Sequence, residues 1–484
     1  MASNAEAVTN PEKTAETVGK FTDVEAVVPT TEEPLEKAGN AALKKDVWPL
    51  WKLCLLALPQ LGVQVLWGFI GPNSVEYMRH LGAPDALATL NNIAGPIAGF
   101  FTGPLVGAWS DSSTSRWGRR RPIILGGLIS TLVAGFFWAG SEALLPKKYA
   151  IWLSAPMYWV LDITINVLQT PFRALVSDYA SEEQQAPMQV WFVFMIAIGN
   201  FIAYSMMTIY AAPTEHMLEL MMMICGINVV CIAITACVAK ETPLVRTAER
   251  EKECCCAPVF KSLGSLRGVP PVFYRLLAVH CLVWLGNTTW GAYGQQWFTA
   301  NVFEGDVNAE KGSAAQIAYK EGVDAFGTAG QYRSGVQLVV SLLMMFIMLK
   351  TSIPHRLVYM PCLYIGAVVA LLAAFAVGHS GNFAIVCMAL SMIPESASLA
   401  IPYGLVAFWN KKAEEEGKEV STAMQMAVLN CCITIGQVLC TSSLALLETG
   451  LSLERSLTII LIVGGTASAL AGTGAYFLKS GDTE

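Results

Sequence analysis

Residues 159–178 read WVLDITINVLQTPFRALVSD, a stretch that places ionisable groups inside an otherwise apolar run. Written on a helix, Asp162, Asn166, Gln169 and Arg173 fall at i, i+4, i+7 and i+11, so at roughly 100° per residue the other three point within about 40° of Asp162. They form one polar stripe. The other faces carry Trp159, Val160, Leu161, Ile163, Ile165, Val167 and Leu168, side chains suited to lipid or to packing. Asp162 and Arg173 would lie about 16 Å apart along the axis, too far to touch and wide enough for something bound between them. An ionisable group at membrane depth costs several kcal/mol unless it lines a wet cavity or meets a partner, so the stripe is a candidate site.

The surrounding chain supplies the membrane. Of its 484 residues 54% are hydrophobic and only 14% charged, against about 25% charged in ordinary soluble domains. Apolar runs of about 20 residues recur along most of the length, each able to cross a hydrocarbon core of roughly 30 Å. They predict spans at about 48–70, 86–109, 122–140, 150–177, 188–210, 217–239, 271–297, 330–350, 355–378, 382–409, 421–447 and 456–478. The expected fold is therefore all-α, with twelve transmembrane helices in two six-helix bundles. Residues 1–45 lack apolar periodicity and read as a disordered cytoplasmic tail; no cleavable signal peptide is visible ahead of the first span. The bundles are expected at 46–239 and 271–479, joined by a cytoplasmic linker at 240–270, with 480–484 as a cytoplasmic C-terminus.

Orientation follows the loop cations. Arg116, Arg119, Arg120 and Arg121 follow span 2, Lys240, Arg246, Arg250, Lys252, Lys261 and Arg267 follow span 6, and Lys411, Lys412 and Lys418 follow span 10, which puts both termini in the cytoplasm. Lys147 and Lys148 on the outer side and the acidic loop Asp178, Glu182, Glu183 are exceptions. The net charge of −6 comes partly from the acidic tail. With no sizeable aqueous domain, a nucleic-acid module or separate soluble enzyme is excluded, and no obligate protein partner is evident. There is no GxxxxGK[ST], HExxH or GxSxG, so neither ATP-driven transport nor hydrolysis is indicated, and no cofactor or metal is expected. The thirteen cysteines are odd in number and lie largely within apolar spans, which argues for packed thiols rather than disulfides. Cys254, Cys255 and Cys256 adjoin in the linker, either as unmodified thiols or as a palmitoylation site.

Two repeated halves would pair spans 1, 4, 7 and 10 around a central path. These spans carry polar residues: Gln60, Gln64 and Trp67 on span 1, His280, Trp284 and Asn287 on span 7, and Glu395, Ser396 and Ser398 on span 10. Single Gln or Ser residues commonly bond helix to helix at about 0.6 kcal/mol each, but their coincidence on four corresponding spans favours a cavity.

Between spans 2 and 3 the chain reads GAWSDSSTSRWGRRRP, residues 107–122. Positive-inside anchoring accounts for the arginines but not for Gly107, Asp111 and Gly118. The segment resembles the loop signature of the major facilitator superfamily, and more narrowly that of plant sucrose–proton symporters and their animal relatives, of glycoside-pentoside-hexuronide symporter type. Asp162, Asn166, Gln169, Pro171, Arg173, Ala174, Leu175 and Asp178 also match that family's fourth span. Further echoes run through 81–99, 194–204, 319–330 and 401–408.

The resemblance implies a proton-coupled symporter for a sugar or glucoside, a sucrose-like disaccharide foremost, in which Asp162 takes the proton and Arg173 holds sugar hydroxyls. Asn166, Gln169, Gln60, Gln64, Trp284 and Asn287 are the further substrate-contact candidates. The chain departs from the family at Ser112, where an Arg is usual, and in span 7, where Gln296, Trp297, Ala300 and Asn301 stand in the places of an acid–Trp motif followed by Arg and Glu, so that the charges are lost. Span 10 instead gains Glu395, which could form a coupled acid pair with Asp162 or stand neutral against a helix neighbour. Asp111 with Arg116 and Arg119–Arg121 is expected to latch onto Asp178, Glu182 and Glu183 as a cytoplasmic gate. Sodium coupling and a transport-inactive sugar sensor are the alternatives, and the plasma membrane is expected before the vacuole.

Overall fold

The computed structural model describes residues 48–179, 185–210, 212–239, 241, 271–350, 353–375, 381–415 and 422–478. The expected N-terminal tail, nearly all of the linker including Cys254–Cys256, the C-terminus, Glu182 and Glu183, and the side chain of Asp111 lie outside the described residues. Everything regular among the described residues is helical.

Nine described helices are long and apolar enough to cross a membrane, namely Leu50–His80, Arg121–Ala139, Lys147–Val176, Trp191–Ile209, Met217–Val238, His355–Phe375, Gly381–Val406, Val428–Glu448 and Leu453–Tyr476. They correspond to spans 1, 3, 4, 5, 6, 9, 10, 11 and 12. Spans 2, 7 and 8 form too, with compositional interruptions. Span 2 is broken at Asn92–Ile93 into Asp85–Asn91 and Ala94–Ser112. Span 7, Pro271–Gln296, carries buried His280, Asn287, Thr288, Thr289, Gln295 and Gln296, and continues as a π turn over Trp297–Val302. Span 8 runs Ala314–Lys350 and so begins well before residue 330, because the polar segment 319–330 is helical. Its Lys320, Glu321 and Asp324 dilute the hydropathy on which the shorter expectation rested.

Proline shapes span 1. Pro59 inside Leu50–His80 removes a ring of the helix ladder and frees the carbonyl of Leu55. Thr235 of span 6 donates its hydroxyl to that carbonyl at 2.7 Å. The first half packs span 1 on 5 and 6, and span 4 on 2 and 3; the second packs span 7 on 11 and 12, span 8 on 10, and span 9 on 12. The halves meet where span 5 lies on 8, span 2 on 11 and span 1 on 7. Outer faces expose large apolar side chains such as Trp152, Val339, Phe375 and Leu446, as a lipid-facing surface requires.

Candidate functional site

Asp162 lies midway along span 4 and is wholly buried, and neither carboxyl oxygen has a hydrogen-bond partner. Its wall is unusual. Gly95, Gly99, Gly103 and Gly107 recur every fourth residue on span 2, one face of a helix, and this face lies along the span 4 stripe. A methyl built at Gly95 would stand 3.6 Å from Asp162 Oδ2, one at Gly99 3.6 Å from Asn166 Oδ1, and one at Gly103 4.0 Å from Thr170 Oγ1. A narrow slot thus runs over Asp162, Asn166 and Thr170. Gly95→Ala should leave transport nearly unchanged, whereas Gly95→Val, whose γ carbons press on the carboxyl, should lower it about 10-fold or more at equal abundance. Equal rates for both variants would show that the slot has no function.

Around the end of the slot remote from the arginine-rich loop, Tyr158 donates to Asn92 Oδ1 at 2.6 Å and Trp159 to Asn91 Oδ1 at 3.0 Å, pinning the break in span 2 against span 4. Asn166 turns its amide to the carbonyl of Asp162 at 2.9 Å. Gln169 accepts from Trp67 Nε1 of span 1 at 2.9 Å. Arg173, about one turn beyond Gln169 towards the arginine-rich end, is exposed and has no hydrogen-bond or ion-pair partner among the described residues; Tyr403 of span 10 is within its electrostatic reach.

The remaining predicted residues are spread more widely. Gln64 donates to Asn200 Oδ1 at 2.9 Å, and Asn200 donates in turn to Gln337 Oε1 at 3.1 Å, a relay from span 1 through span 5 into span 8 of the other half. Trp284 donates to Nε2 of His280, one turn away, at 3.2 Å. Gln60 Oε1 and Asn287 Nδ2 are buried without a partner. Among the described residues, Gln60, Trp284 and Asn287 make no hydrogen bond to the span 4 stripe.

Glu395 is not a lone acid facing Asp162. It pairs with Arg333 of span 8, whose Nε also reaches Ser391 Oγ at 3.4 Å. Arg333 and Asn200–Gln337 are functional candidates that sequence reading missed. A second missed cluster closes the end remote from the arginine loop: Arg79 contacts Glu76 at 3.1 Å, Asp85 at 2.9 Å and, across the two halves, Glu448 at 3.0 Å. Glu76, Arg79 and Glu448 are all buried, whereas Asp85 is half exposed. Asn308 of the second half adds a 3.5 Å bond to the carbonyl of Arg79, and Gln296 of span 7 a 3.3 Å bond to that of Pro72.

A family model described as MFS/sugar transport protein matches residues 77–308. The fold superposes on a D-xylose-proton symporter with a TM-score of 0.63 over 88% of this chain and 97% of that one, at 11% identity. The chain thus shares the fold of these transporters, and its first half is similar to the MFS/sugar transport family. A POT family transporter solved with 5-aminolevulinic acid has the same fold, with a TM-score of 0.63, 12% identity, and coverage of 89% and 96%. The chain is similar to the sucrose transport protein SUC4 of Arabidopsis thaliana, 26% identical over 424 residues, which are 78% of this chain and 80% of that one. Sucrose transport protein SUT5 of Oryza sativa subsp. indica is 26% identical over 83% of this chain and 82% of its own. For SUT3 of the same subspecies the figures are 29%, 60% and 62%. The chain is an integral, multi-pass membrane protein.

Its loop between spans 2 and 3 is bound to the ends of spans 4 and 6. Arg119 Nη2 and Arg120 Nε meet Asp178 Oδ2 at 2.7 and 3.1 Å, and Arg120 also donates to Ser110 Oγ at 2.9 Å. Gly118, at φ +103, turns the chain so that the N–H groups of Arg120 and Arg121 point at the Glu241 carboxylate, at 3.0 and 2.9 Å. Glu241 thus ties down this loop, a contact that the sequence did not single out. Arg116 instead stacks beside Trp117, 6.0 Å from its ring centre. Reversing Asp178 to Arg should cost about fivefold in transport, and adding Arg119→Glu should return most of it. A double variant no better than Asp178→Arg alone would remove this pair from the gate.

Proposed function

We propose that the protein is a secondary transporter that moves a sugar or glucoside, a sucrose-like disaccharide foremost, together with protons by alternating access. It is a transporter and not an enzyme. The observation that carries the reading is Asp162: a fully buried carboxyl with no partner, on the same stripe as the exposed guanidinium of Arg173. An ionised carboxylate in that place costs several kcal/mol, a cost that proton uptake removes, so its charge is tied to which side reaches it. Arg173, with five donors in a planar fork, suits vicinal hydroxyls. Asn166, Gln169, Gln60, Gln64, Trp284 and Asn287 are the remaining substrate-side residues of the proposal, and the gate consists of Asp111, Arg116, Arg119, Arg120, Arg121 and Asp178.

Glu395 enters as a second proton-coupling group through its pair with Arg333, since protonation of the acid would release the guanidinium. The Arg79–Glu448 contact joins the halves at one end while Arg173 remains exposed towards the other, which supports a state open on the arginine-rich side. With the arginine-rich loops in the cytoplasm, that state faces inward and both termini are cytoplasmic. The division into bundles at 46–239 and 271–479, and residence in the plasma membrane, belong to the same proposal. Counterflow with labelled mono- and disaccharides in proteoliposomes tests it: exchange of at least one glucoside is expected, and exchange of none would refute it.

A further inference from the structure

At the arginine-rich end of the first half a cavity of about 440 Å³ opens between spans 1, 3, 4 and 6. Its floor is apolar and buried, formed by Pro59, Ile124, Phe172, Leu175 and Ile232. Its rim is different. Leu125 and Ala236 are exposed at the mouth, and Arg116, Trp117 and Arg121 stand at the head. Ile124 and Leu125 lie within one turn of the start of span 3, and Pro59 lies in the third turn of span 1, so the cavity reaches from the loop about 14 Å into the bundle.

The charges at the head are unevenly matched. Glu241 is the acid lining the cavity, and its carboxylate is taken up by the backbone N–H groups of Arg120 and Arg121. Arg121 gives Nη2 to the carbonyl of Ala236 at 2.7 Å, which leaves its Nε buried and without a partner. Arg116 is exposed and has no carboxylate partner among the described residues. Two guanidinium groups and an indole therefore sit at the mouth of a greasy groove. That is the layout of a headgroup site above an acyl-chain slot.

We propose that this cavity binds an anionic glycerophospholipid from the leaflet on the arginine-rich side, with its phosphate between Arg116 and Arg121 and one acyl chain along Phe172 and Ile232. The linker that follows Glu241 is a poor occupant, because Arg246, Arg250, Lys252, Lys261 and Arg267 outnumber Glu249, Glu251 and Glu253 there and would meet two further cations. The proposal is independent of what the protein transports.

The test is native mass spectrometry of the full-length protein in detergent, titrated with dioleoyl phosphatidylserine, dioleoyl phosphatidylcholine or inorganic phosphate. The anionic lipid should be retained about 30-fold better than the zwitterionic one, as two arginines near a membrane surface predict. Arg116→Gln with Arg121→Gln should abolish that preference. Ala236→Phe, which narrows the mouth and keeps both arginines, should weaken retention as well, while Arg455→Gln at a distant exposed cation should not. Equal retention of the two lipids, or a preference that survives the double variant, would overturn the site; so would displacement of the lipid by millimolar phosphate, which marks a plain anion site. If the linker fills the cavity, retention will not respond to Arg116, Arg121 or Ala236, and the proposal fails in that way too.

Discussion

Asp162→Asn is expected to abolish sugar accumulation driven by a pH gradient while leaving sugar exchange at equal pH measurable. Asn fills nearly the same volume, so packing against the slot of Gly95 and Gly99 is retained. What is lost is the ability to take up and release a proton. The wild-type carboxyl is fully buried with both oxygens unpaired, an arrangement tolerable for a neutral acid and costly for a carboxylate by several kcal/mol. A side opening that wets the slot reverses that preference, and this coupling of access to charge is what a symporter requires. The asparagine variant should therefore equilibrate sugar without concentrating it. Accumulation retained above about a tenth of wild type would remove Asp162 from the coupling step.

Arg79→Ala should open the end that is now closed. Arg79 is the cation that holds together Glu76 and Asp85 of the first half and Glu448 of the second. Its removal leaves the side chains of Glu76 and Glu448 buried without the cation they share, a change that typically costs about 3–5 kcal/mol in the state that buries them. The penalty falls on the closed arrangement and vanishes when the ends of spans 1 and 11 part into water. A shift of about 100-fold or more towards the opposite-facing state follows. A cysteine at Gly71, where a methyl would stand 3.8 Å from the Gly291 carbonyl of span 7, reports on that seam. Its labelling by an impermeant maleimide from outside should accelerate strongly in the Arg79→Ala background and return towards wild type when Glu76→Gln and Glu448→Gln are added. Unchanged labelling would mean that the cluster only stabilises the fold.

The physical reason for what could and could not be read from the chain is visible in these same residues. Spans were legible because lipid demands about 20 apolar residues in a row, and the i, i+4, i+7, i+11 spacing of Asp162, Asn166, Gln169 and Arg173 made one stripe of one helix. Span 8 begins earlier than its apolar run because Lys320, Glu321 and Asp324 lower the hydropathy of its first turns, although the helix continues through them. Pairings between distant helices had no spacing to announce them. Arg333 with Glu395 joins spans 8 and 10, Arg79 with Glu448 links positions 369 residues apart, and both rest on how the bundles dock. The glycines of span 2 at every fourth position were a usable signal that a close neighbour lay on that face, although only the fold shows that the neighbour is the Asp162 stripe.

The central claim is coupling of sugar to protons, and uptake of a labelled disaccharide into proteoliposomes under an imposed inward proton gradient tests it most directly. Accumulation above equilibrium that collapses with a protonophore and ignores replacement of sodium by potassium is the expected result. Accumulation that follows a sodium gradient at constant pH and persists with the protonophore would contradict the account.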